Sequence, residues 1–85
     1  MPNLNYNNGV AKERRIVNSH RNDGCIAFRS AGSHSPIDVV VIDNQHHRIK
    51  LIQCKPKSMS SNARSKLLSS LSHLDGQYLV ECSVV

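Results

Sequence analysis

Acidic residues are scarce. Glu13, Asp23, Asp38, Asp43, Asp75 and Glu81 stand against 11 lysines and arginines, leaving the 85-residue chain at a net charge of +5. That excess favours a phosphate-bearing partner, and it restricts any carboxylate chemistry to six positions. Aromatics are scarcer still: Tyr6, Phe28 and Tyr78, with no tryptophan. A chain of this length buries only about 60% of its unfolded surface, so the monomer's core is expected to be thin and subunit association is the expected remedy. Cys25, Cys54 and Cys82 lie far apart and form no CxxC pair, which excludes a disulfide framework and a zinc or thioredoxin-like motif. The longest apolar run, Ile37 to Ile42, is interrupted by Asp38, too short and too charged to cross a membrane. The N-terminus lacks the basic-then-apolar order of a signal peptide. Together these absences predict an intracellular, cytoplasmic protein in a reducing compartment.

The remaining pattern is that of one α/β domain over residues 9–85, preceded by an Asn-rich flexible arm over 1–8. Val10, Ile16 and Val17 recur at helical spacing from Gly9 to about Ser19. Asp23-Gly24 supplies turn chemistry, after which Cys25 to Arg29 reads as a strand. Residues 30–36 are small and end in Pro36, a loop. Ile37 to Ile42 and Ile49 to Lys55 are β-rich stretches flanking a polar turn. Ser58 or Ser60 can cap a second helix carrying Ala63, Leu67, Leu71 and Leu74 on one stripe, closed by Gly76. Gln77 to Val85 reads as a last strand. The order is α-β-β-β-α-β around a small mixed sheet.

Within this frame Asp38 is anomalous, because an unpaired carboxylate is expensive inside Ile-Asp-Val-Val-Val-Ile. An exposed acid at a strand start would account for Asp38 alone, but not for its neighbours. In a hairpin that sets Ile42 opposite Ile49, Asp38 faces Gln53, and Lys55 shares Gln53's face two residues on. Glu13 falls between Val10, Ile16 and Val17 on the helical wheel, in the middle of an apolar face. A helix-dipole role beside Arg14 or Arg15 is the plainer account of Glu13. Two carboxylates, an amide oxygen and a lysine converging at one place suit a hard divalent cation held near a phosphate. The pair His46-His47 lacks zinc spacing and belongs to the turn, and the three cysteines read as small core residues of strands.

The stretch Arg29-Ser30-Ala31-Gly32-Ser33-His34-Ser35-Pro36-Ile37-Asp38, followed by Gln53-Cys54-Lys55, resembles the PD-(D/E)XK nuclease core. More narrowly it is similar to the archaeal-type Holliday junction resolvases, with their helix-one glutamate, R-x-x-G-S loop, P-x-D strand and E-x-K strand. The resemblance implies a restriction-endonuclease-like fold and a divalent-metal-dependent endonuclease acting on DNA, most simply a four-way junction. It implies Glu13, Asp38 and Gln53 as ligands for Mg²⁺ or Mn²⁺, Lys55 as the catalytic lysine and Ser33 as the loop serine at the phosphate. Gln53 departs from the family's usual glutamate and removes one negative charge from the metal site. Arg14, Arg15, Arg29, Ser33, His34, Lys57, Arg64 and Lys66 are the candidate DNA contacts. A homodimer built on helix two or the last strand would match the two-fold symmetry of a junction. A nickase or other endonuclease of the same fold, and a catalytically silent DNA-binding domain, are the alternatives.

Overall fold

The structure is a computed structural model, and it describes residues 4–30 and 35–85. Helix α1 (Leu4–Asn22) leads into strands β1 (Ile26–Arg29), β2 (Val39–Asp43) and β3 (Arg48–Ile52). Helix α2 (Ser61–Leu71) and a single 3-10 turn (Ser72–Leu74) follow. This is a small α/β fold.

Helix α1 starts at Leu4, not Gly9, so residues 4–8 of the expected arm are helical. A helical Gly9 costs only about 1 kcal/mol relative to alanine, which does not stop propagation once the downstream turns are anchored on the sheet. At its other end the Cys25 N–H reaches the His20 carbonyl and the Gly24 N–H reaches that of Arg21, with Gly24 at φ +89°. That pair of bonds is a Schellman cap, and it requires the left-handed conformation glycine adopts without strain. The cap reverses the chain so that β1 begins against α1. Arg21 ties the two together by donating to the Ala27 carbonyl at 2.9 Å.

The three strands form an antiparallel sheet in the order β1-β2-β3. Ile42 pairs with Ile49 and Val39 with Ile52, the register expected from the sequence. The register is fixed by the turn, where the Asp43 carboxylate accepts the N–H groups of Gln45 and His46 and His47 takes a positive φ of 54°. Side chains alternate, so Ala27, Val39 and Val41 all point to the α1 side, where with Val17 they form the buried core. Ile16, Cys25, Ile52 and Cys54 pack around it. Val39 and Val41 are wholly buried, and burial of such a side chain contributes about 2 kcal/mol.

Two expectations are corrected. Residues 77–85 form no strand and are exposed, with Leu79 at 93% and Cys82 also in solvent. Strand propensity is realised only against a partner, and α2 does not carry the chain back to an open edge of the sheet. In consequence the sheet of the described residues is antiparallel throughout, not mixed. Helix α2 is capped by Ser60, whose Oγ accepts from the Ala63 N–H at 3.2 Å. Its expected stripe, Ala63, Leu67 and Leu71 with Leu74 beyond, is half-buried, but no residue of α2 is fully buried.

Candidate active site

Arg29, Val39 and Ile52 form the last rung of the sheet, and the chemistry expected from the sequence gathers beyond it. The ladder does not continue to an Asp38–Gln53 pair. The Asp38 N–H instead reaches the Ile52 carbonyl at 2.8 Å, and the Asp38 carbonyl takes the Ser30 N–H at 2.9 Å. The Asp38 carboxylate then replaces the missing backbone acceptor, Oδ2 receiving the Cys54 N–H at 2.8 Å. An acid among valines is tolerated because it terminates the sheet by satisfying an orphaned donor.

Helix α1 crosses this same end and touches both outer strands' exits. Glu13, its side chain only 16% exposed, accepts from Arg29 Nε at 3.3 Å. Its partner is therefore the end of β1, not Arg14 or Arg15, and its position is mid-helix, where a dipole role has no basis. One residue earlier, Lys12 donates from Nζ to the Lys55 carbonyl at 2.7 Å. Burial pushes the pKa of the Cys54 thiol up. The negative charges of Asp38 and Glu13 push the same way, and Lys12 opposes them.

Gln53 and Lys55 belong to a groove of about 180 Å³ between β3 and α2, with Leu51, Met59, Arg64 and Leu67 among its walls. Arg64 is held there by donating to the Pro56 carbonyl. Gln53 Oε1 is buried with no hydrogen-bond partner among the described residues, an exception that buried polar atoms seldom present. The end of the sheet thus carries two pairs, Glu13 and Asp38 about Cys54, and Gln53 and Lys55 in the groove. Among the described residues no three histidines, cysteines or acids form a metal cage of their own.

Of the candidate DNA contacts, Arg29 is engaged with Glu13, and Arg64 lines the groove with Lys55. Arg15 and Lys57 line a second cleft on the α1 side, while Arg14 and Lys66 are simply exposed. Ser33 and His34 lie outside the described residues. Sequence reasoning missed Lys12. Its signal was its spacing of three from Arg15, which puts both cations on one side of the helix.

A small α/β domain with paired carboxylates, a lysine and basic side chains at one sheet end is the kind of scaffold on which phosphodiester chemistry is built. The sequence model of the archaeal Holliday junction resolvase (hjc) family matches residues 4–67, about three quarters of the chain. The chain belongs to that family, a family of nucleases that act on branched DNA. No curated protein and no solved structure matches it. No helix of the described residues is long and apolar enough to cross a membrane.

Proposed function

We propose that the protein is a divalent-metal-dependent endonuclease that hydrolyses phosphodiester bonds of branched DNA in the cytoplasm, on a restriction-endonuclease-like core. The observation that carries this reading is the buried, unpartnered Gln53 Oε1 at the end of the sheet that also holds Glu13, Asp38 and Lys55. A buried oxygen without a donor fits a cation ligand, and the site's remaining donors are oxygens, the set that Mg²⁺ or Mn²⁺ prefers. Glu13, Asp38 and Gln53 would hold the ion. The chemistry such an ion would supply is a lowered pKa for a water and an offset of the charge on the phosphate.

The chain's own residues divide the remaining work. The Cys54 N–H fixes Asp38 through Oδ2 and leaves its other oxygen for a ligand. Arg29 orients Glu13. Lys55 would neutralise charge developing on the phosphate, and Ser33 would bind the phosphate. Association into a two-fold dimer would give the two sites that paired strands of a junction require. Exposed Phe28, Ile49, Leu51 and Leu68 support it by offering an apolar contact surface.

A DNA-binding domain without turnover is the second reading, favoured by the glutamine at 53 and by the engagement of Glu13 with Arg29. Cleavage of junction, flap, duplex and single-stranded DNA in Mg²⁺ or Mn²⁺ separates the two. The expected result is preferential junction cleavage, lost roughly 100-fold or more in Asp38→Asn with junction binding and thermal melting retained. Near-normal turnover by Asp38→Asn would show that the metal site lies elsewhere.

A further inference from the structure

On the far side of Lys55 from the groove lies a cleft of about 560 Å³ between the first half of α1 and the chain leaving β3. Lys12, Arg15, Lys55 and Lys57 line it together with Gly9, Cys54 and Pro56, and no carboxylate among the described residues does. Four cations around one cleft repel one another and weaken the folded state unless an anion enters. Glu13, the acid nearest in sequence, is turned away to Arg29. Lys12 is not a waving surface lysine, because its ammonium is anchored on the Lys55 carbonyl at 2.7 Å. An ammonium has three N–H donors, so two remain for an anion. At Gly9 a Cβ would meet nothing within 4 Å, so that wall of the cleft is open space.

From this we infer that the cleft seats a backbone phosphate of the bound DNA, with Lys12, Arg15 and Lys57 as its contacts. Lys55 lines both cavities, so a strand passing over it presents successive phosphates to its two sides. The inference rests on the DNA-binding part of the proposed function and is independent of cleavage.

The test is binding of a fluorescent four-way junction to the full chain in EDTA, measured across a salt series. Each phosphate contact contributes about 0.9 to the slope of log affinity against log salt. Lys12→Gln and Lys57→Gln are each expected to flatten that slope by close to one contact and to weaken binding several-fold at low salt. Arg48→Gln, at the opposite end of β3, should keep the wild-type slope. Lys57 is exposed and outside any helix or strand, so its variant reports even where loss of the Lys12 anchor disturbs folding. Wild-type slopes in Lys57→Gln and in a folded Lys12→Gln overturn the inference, as does failure of the wild-type chain to bind the junction. Flattened slopes in a chain that cuts no substrate would support the phosphate seat while removing the nuclease reading. Normal cleavage with unchanged slopes would do the reverse.

Discussion

Both faces of the sheet carry apolar side chains and use them differently. Towards α1, Ala27, Val39 and Val41 are 3%, 0% and 0% exposed, whereas on the other face Ile26, Phe28, Ile49 and Leu51 are 42–54% exposed. An antiparallel sheet that keeps one side in water normally alternates apolar with polar residues. Strand β2 reads Val-Val-Val-Ile without alternation, the signature of a strand meant to be covered twice. Helix α2 does not supply the second cover; Leu68 is 72% exposed, and Leu71 lines an open cavity with Ile49 and Leu51. The covered face holds the fold together. The open face carries Gln53 and Lys55 at its end and leaves apolar surface for association.

Paired aspartates break this contrast most severely. Val41→Asp puts an unpaired carboxylate into the core, a cost of several kcal/mol, and should abolish cooperative melting by circular dichroism. Ile49→Asp, on the open face, should leave melting close to wild type and shift the sedimenting species from two chains to one. An unfolded Ile49→Asp chain would mean that the open face is core as well. A folded monomer before mutation would mean that nothing covers it.

Gln53→Glu sharpens the comparison at the working end. The added charge should lower the Mg²⁺ needed for half-maximal cleavage roughly tenfold. Without metal the same variant should melt lower than wild type, because a carboxylate then replaces an amide whose buried oxygen has no donor among the described residues. Melting and cleavage that ignore the substitution would show that residue 53 does not face the ion.

What the sequence made legible follows from local contradictions. Asp38 and Glu13 stood out because a charge interrupts an apolar pattern, and the hairpin register followed from the polar turn between two β-branched runs. The pairings Ile42 with Ile49 and Val39 with Ile52 agree with it. The partners of those acids were not legible, since Arg29 for Glu13 and the Cys54 N–H for Asp38 depend on how α1 crosses the sheet end. Lys12 was hidden for the same reason, its acceptor being a backbone carbonyl 43 residues away. The tail was misread because Gln77 to Val85 has strand propensity but no edge to join, and the start of α1 because turn-prone asparagines were weighed without the tertiary anchor behind them.

The smallest expected effect concerns the turn that keeps the two faces distinct. A one-residue slip in the β2–β3 pairing would move Val39 and Val41 to the open side and bring Val40 and Ile42 inward, so the Asp43 cap guards the assignment of faces. The His46 ring, 2.8 Å from Oδ2, holds the Asp43 carboxyl below the usual aspartate range. Its folded value is thus lower than its unfolded value, and the stabilisation is fully present above the ordinary aspartate pKa of about 4. It is lost as pH falls through the depressed folded value. Because the turn is exposed, the change should be local: amide signals of Gln45 and His46 are expected to titrate together, with a midpoint below that of a free aspartate, while the core signals of Val39 and Val41 stay fixed. Asp43→Asn keeps an oxygen for the turn and should remove that titration. If the core signals move with the turn, the register depends on Asp43 more than on the buried valines, and the contrast between the faces is set by the hairpin's tip.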